Sequence, residues 1–336
     1  MTKDLVLKNT ERLRSFFEKH AASEGGSGLG ALYRKELADH LNSKRCFLIF
    51  LLLLLTTAAS LGGAVSSLSG NTSESTDFLF LQLFTTGSSS IYSFATFLAF
   101  LGPLVGITLG FDAVGSERSQ GTLNRLAAQP IYRDSIINAK FLAGTTVIAL
   151  IVAALGLFMC GAGMLLTGLV PQAEEAARIL AFLILTVVYI SFWLALSIIF
   201  SVICRHAATA ALAGISIWLF LSLFMSLVAN GIANALFPLE GIEGFNNILS
   251  NYQLDLALNR ISPYYLFSEA ATTILNPGVR SIGVVTAASY SGAVSSSLSF
   301  GQSLLLIWPH LVVMVALVIA GFAVAYINFM RQEIRA

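Results

Sequence analysis

Glu117, Arg118, Gly121, Thr122, Leu123, Leu126 and Arg133 fall in one polar segment, Asp112–Lys140, which reads DAVGSERSQGTLNRLAAQPIYRDSIINAK between two long stretches without a charged residue. The chemistry these types can do is recognition. Gly121 interrupts a helix running out to about Arg118, and Thr122 can cap a short helix over Leu123–Ala128. Pro130 ends that helix, because the residue before a proline avoids the helical region. A second helix then begins near Arg133. Leu123, Leu126 and Ile131 are apolar knobs on a polar hairpin, a pattern suited to a partner's groove. From these residues alone, a solvated connector and a docking element stand level.

Covalent and hydrolytic chemistry has no residues to carry it. A phosphate-binding Walker loop needs Gly-Lys followed by Ser or Thr, and none of the lysines here precedes either. The sequence has no HExxH, no GxSxG and no His/Cys cluster at metal-ligand spacing. Gly26, Gly28 and Ala31 spell GxGxxA, but no strand precedes them, so no dinucleotide loop is read there. The three cysteines, Cys46, Cys160 and Cys204, form no CxxC pair and are read as small packing residues.

The elements that must hold the polar segment are membrane helices. Hydrophobic residues make up 56% of the 336, charged residues 11%, and no ordinary soluble domain has that balance. A helix needs roughly 20 apolar residues to cross the hydrocarbon core. Six stretches qualify: Cys46–Leu68, Ile91–Phe111, Phe141–Leu169, Ile179–Ile203, Ala207–Ala229 and Ser303–Met330. They alternate too little for barrel strands. Lys and Arg number nine in the first 45 residues and four in 112–140, with Arg205, Arg331 and Arg335 on the same side; only Arg178, Arg260 and Arg280 fall opposite. Positive residues mark the cytoplasmic side, so both termini are expected there. A long charged region precedes the first span, so that span is read as an anchor rather than a removable leader.

No span interior carries Asp, Glu, Lys or Arg; His310, behind Pro309, is the titratable imidazole near a span and is read as structural. Ion-coupled carriers place ionisable groups or broken helices at mid-membrane, so ion coupling is disfavoured. Before span one, Leu29, Tyr33, Leu37 and Leu41 recur every fourth residue with Leu32 beside them, while Arg34, Lys35, Glu36, Asp39, Lys44 and Arg45 take the other face. This predicts an amphipathic interfacial helix over 29–45, behind a 1–28 extension that holds a Gly/Ser hinge and a helix-patterned 1–22. The remaining 46–336 are expected to form the membrane domain. Gly102, Gly106 and Gly110 recur at spacing four; such a stripe allows close backbone approach, either inside the bundle or to a second copy. The 230–302 segment reads as partly helical and folded, and the apolar run Ala207–Phe237, broken by Asn230, Gly231 and Asn234, is expected to turn back within the outer leaflet.

Taken in order, these features resemble permeases of the ABC-2 class of ATP-binding-cassette transporters. The matching residues are Glu117, Arg118, Gly121-Thr122-Leu123, Pro130, Arg133, Ile136–Ile137 and Lys140 in the hairpin, YRKELADHLNSKR at Tyr33–Arg45, and ISPYYLFSEA at Ile261–Ala270. Ala139 departs from a frequent glycine. The resemblance implies an all-α integral membrane protein with six transmembrane helices, a connecting helix (Tyr33, Glu36, Leu37, Leu41) and a coupling helix between spans two and three, like a type V ABC exporter. It gives Glu117, Arg118, Gly121, Thr122, Leu123, Leu126 and Arg133 to docking on an ATPase subunit. The chain itself would bind no cofactor, ATP and Mg belonging to that partner. A second permease copy, identical or not, lipids and an extracytoplasmic accessory protein are further expected partners, with no nucleic acid. The expected location is a prokaryotic plasma membrane. A pathway between spans one, two and five of two copies would take Thr108, Ser216 and Phe220 as lining residues. Two rivals remain: a membrane module that moves an outer partner without transport, and a secondary carrier.

Overall fold

The computed structural model describes residues 28–70, 78–88, 91–119, 132–240, 244–279 and 297–331. The described residues are almost wholly helical and contain no strand beyond one isolated bridge between Ser88 and Ile91. In order they are α1 (Leu29–Leu41), α2 (Lys44–Gly70), α3 (Leu79–Thr85), α4 (Phe94–Gly110), α5 (Gly115–Ser119), α6 (Arg133–Thr167) and α7 (Ala173–Ile203). There follow α8 (Ala207–Leu219), a π turn at Phe220–Phe224, α9 (Met225–Leu236), α10 (Gly244–Asn259), α11 (Pro263–Leu275) and α12 (Phe300–Arg331). Six helical stretches are long and apolar enough to cross a membrane: Lys44–Ser69, Phe94–Ser119, Arg133–Thr167, Ala173–Ile203, Ala207–Leu236 and Phe300–Arg331. The protein is a multi-pass membrane protein, with six spans among the described residues.

The helices run past the apolar stretches because polar residues at their ends find partners. Span three begins at Arg133, not Phe141, and at 35 residues is about 50 Å long, well over the hydrocarbon thickness. Span four begins at Ala173, with the Gln172 side chain and Glu175 forming a capping box. Glu175 also accepts the Phe80 N–H (3.1 Å), so one carboxylate starts two helices. Helix α3 lies in the loop after span one, too short to show as a period in the sequence, with Phe80, Leu81, Leu83 and Phe84 all buried.

Span four is the centre. Helix α7 packs against α4, α6, α8, α11 and α12, burying Phe182, Tyr189, Trp193 and Ile198. Rings join it to its neighbours: Phe182 meets Phe84 and Phe94 edge-on, and Tyr189 stacks on Phe267 at 4.4 Å. The glycine stripe of span two faces this helix within the same chain. A Cβ on Gly106 would sit 2.6 Å from the Ile190 carbonyl oxygen, and one on Gly110 2.9 Å from that of Leu194. The stripe is therefore internal packing, and that face is closed to a second copy.

The expected turn at Asn230 does not occur. The helix continues to Leu236, because Asn234 donates to the Asn230 side chain (2.9 Å) and Asn251 donates to Asn234 (2.9 Å) and to the Phe237 carbonyl (2.8 Å). Polar groups that satisfy one another need not break a helix. The chain reverses only after Pro238, and α10 returns along α9.

Candidate functional site

Both stems of the polar hairpin converge on one buried ammonium group. Lys140, two turns into span three and 4% exposed, lies 2.8 Å from Glu117 Oε1 on α5 and 3.1 Å from Glu36 Oε1 on α1. Lys35, half exposed, completes a quartet at 3.0 Å from Glu36 and 3.5 Å from Glu117, with exposed Asp39 also 3.5 Å from it. Lys140 and the two carboxylates are held out of water and are tolerable only when paired, since each alone would carry a large desolvation cost. Burial pushes the Glu36 carboxyl up, but Lys140 and Lys35 outweigh it and hold it below its ordinary value. The Lys35 ammonium is held above its ordinary value: burial opposes this and Glu36 overcomes it. Burial, with a smaller push from Lys140, lowers the neighbouring His40.

The remaining stem residues are tied down as well. Ser201 of span four accepts the Val114 and Gly115 N–H groups (3.0 and 3.2 Å), which fixes the bend where span two passes into α5. Arg118 donates to the Val202 carbonyl at 3.2 Å. Arg133 lies over the Phe329 ring of span six at 5.8 Å, and Arg45 pairs with Asp112. Ile136 and Ile137 are buried. Helix α1 packs along span three, where the Tyr33 hydroxyl donates to Thr146 Oγ1 at 2.9 Å. Gly121, Thr122, Leu123 and Leu126 lie outside the described residues.

Residue type alone misplaces one position of α1. Glu36 was grouped with the solvent face, yet it is buried, one turn on from buried Leu32. Leu41, on the apolar face, is 54% exposed within the chain, as suits a helix whose apolar side lies on lipid. Lys140, found only as a motif match, turns out to be the hub. A sequence signal existed: a lone cation just ahead of a charge-free span needs a carboxylate.

The family model described as "ABC-2 family transporter protein" matches residues 30–334. The chain belongs to the ABC-2 transporter family. Two curated relatives are similar over part of it. One is a "Probable ABC transporter permease protein NosY" of Pseudomonas aeruginosa, 30% identical over 151 residues, or 44% of this chain and 49% of the relative. The other has the same description, from Stutzerimonas stutzeri, at 34% over 121 residues, 35% of this chain and 39% of the relative. The chain thus spans about half the length, or less, of the curated relatives it matches.

Among this ABC-2 family member's spans, the fifth is the least enclosed. Only 11% of its most apolar window is buried inside the chain, against 56% for spans two and four. Ser216 and Phe220 are exposed on it and Thr108 is half-buried on span two, so these three do not converge on a cavity within one copy. At the end away from the hairpin, Arg178 is fully buried. It donates to Glu174, to the Ile274 and Leu298 carbonyls (2.9 and 2.6 Å) and to Ser303 Oγ (3.1 Å), and lies near the Phe78 and Phe300 rings. His310 Nε2 lies 2.7 Å from Glu269, which also takes Arg260.

Proposed function

We propose that this chain is the permease subunit of an ATP-binding-cassette exporter, that its 112–140 hairpin docks on a separate ATPase subunit, and that both termini are cytoplasmic. The observation supporting docking is the quartet around Lys140. A solvated connector needs no buried ammonium joining both its stems to a third helix; a lever does. Force applied to the hairpin tip reaches span two through Glu117, span three through Lys140 and α1 through Glu36 as one body. ATP and Mg belong to the partner. A second permease copy closes on the exposed face of span five, where Ser216 and Phe220 then line the pathway. The charge-free interior of the spans suits lipidic, peptide or other apolar cargo.

Copurification from a native host tests this reading. The unaltered chain should bring down a nucleotide-hydrolysing subunit, and Leu123→Asp with Leu126→Asp should release it while the permease remains in the membrane. Full association of that double variant, or no ATPase at all with the unaltered chain, refutes docking. A second reading draws on α10, which exposes Phe245 (83%), Ile248, Leu249 and Tyr252 along one side: the hairpin motion would then serve an outer protein partner. Substituting these four with Ser would abolish that function and spare cargo movement.

A further inference from the structure

Spans five and six are the least enclosed of the six, at 11% and 17%, and each has one point where the regular hydrogen-bond ladder is weakened, called a break below. Span five widens into the π turn Phe220–Phe224, an irregularity that loosens the regular ladder. Span six contains Pro309, which has no N–H for the carbonyl one turn before it. Span two also has an internal proline, Pro103, but it adjoins the tight glycine seam and is buried.

One elbow joins both breaks. At the junction of α10 and α11 the Ser262 hydroxyl donates to the Leu221 carbonyl in the π turn at 2.7 Å. Ser262 is the N-cap residue of α11 and makes no side-chain cap bond; a serine there ordinarily satisfies its own helix, and this one reaches across to span five instead. Two residues earlier, Arg260 donates Nε to Glu269 Oε2 (3.0 Å) and Nη2 to Oε1 (2.8 Å). This two-pronged geometry fixes direction as well as distance. Glu269 Oε2 is also 2.7 Å from Nε2 of His310, the residue after Pro309. The connection runs from the π-turn carbonyl to Ser262, along the backbone to Arg260, and through Glu269 to His310 beside Pro309.

We propose that Glu269 is a positioning residue that yokes the two breaks, so that spans five and six bend together and not one at a time. This needs neither an ATPase nor a known cargo, and stands apart from the docking reading. Bending span five moves the Leu221 carbonyl and with it the elbow. The paired Arg260–Glu269 then carries His310, and span six turns at Pro309. Without the Glu269 charge each helix bends at its own soft point.

Electron–electron distance measurement tests this in the full chain in lipid nanodiscs, with Cys46, Cys160 and Cys204 replaced by Ala and labelled chains diluted in unlabelled ones. Spin labels go at Leu227→Cys and Leu305→Cys, both exposed; a control pair at Leu157→Cys and Ile184→Cys reports on spans three and four. The parent should give one narrow distance. Glu269→Gln should spread it into several, with the control pair unmoved, and adding Pro309→Ala should narrow it again by removing one break. An unchanged distribution in Glu269→Gln overturns the proposal. So does a spread that ignores Pro309→Ala, or one that extends to the control pair, since Glu269 would then serve general folding.

Discussion

Replacing Lys140 with Met keeps the volume and removes the charge that holds the hairpin base. The Glu36 and Glu117 carboxylates, both about nine-tenths buried, would then face each other with only the half-exposed Lys35 between them. Removing one partner of a buried ion pair costs about 3–5 kcal/mol. Lys140 is 4% exposed, so solvent screening does not reduce that figure, but Lys35 at 3.0 and 3.5 Å keeps part of the compensation and points to the lower end. A loss of about 3 kcal/mol raises the undocked fraction of α1 on the order of a hundredfold. Backbone hydrogen exchange of α1 in nanodiscs reads that equilibrium directly, with the amides of α7 as an internal standard. The neutral triple variant Lys140→Met, Glu36→Gln, Glu117→Gln should recover most of the loss, because a buried ion set exchanged for uncharged groups is close to neutral. If the single variant exchanges like the parent, or the triple like the single, the quartet does not hold the hairpin base and the lever loses its support.

Other consequences follow from the same geometry. Gly106→Ala should lower thermal stability by about 1–3 kcal/mol through overpacking against backbone, whereas Gly161→Ala, with nothing within 4 Å of the added carbon, should be neutral or raise it by up to about 1 kcal/mol; equal melting shifts would refute the seam. Falling pH should loosen α1. His40 and Glu36 are both held below their ordinary values of 6.5 and 4.5, so the unfolded chain takes up protons first and their stabilisation, full above those values, is lost below them. Protease cleavage at Arg34, corrected for enzyme activity, should rise on acidification below pH 6.5 and again below 4.5; a flat profile refutes it. Arg178→Lys keeps the charge but cannot reproduce bonds to two carbonyls, a serine and Glu174, and should cost about 1.5–3 kcal/mol in a melting experiment. A value within error of the parent would show those bonds to be dispensable.

Six spans were legible because a run of some twenty apolar residues in one chain has few other uses. Their ends were not, since Arg133, Asp134 and Lys140, or Glu174, Glu175 and Arg178, lower hydropathy while their pairing lets the helix continue. The stripe Gly102, Gly106, Gly110 announced a close approach without naming the partner helix, because every span offers an apolar face and only the folded seam selects span four. Glu36 was hidden by its type: a period of Leu29, Leu32, Tyr33 and Leu37 passes through it, and the complementary cation lies a hundred residues away. The π turn at FLSLF left no trace in the sequence, being composed of ordinary helix-compatible residues.

The seam between spans two and four divides the membrane domain into two kinds of surface. At Gly106 and Gly110 backbone touches backbone and an added carbon collides, so substitution there is penalised at once. The outer faces of spans one, five and six have no such seam within the chain, and Ser216 and Phe220 are exposed there. A lineage can therefore retailor what those faces meet by single substitutions while the post that carries them stays fixed.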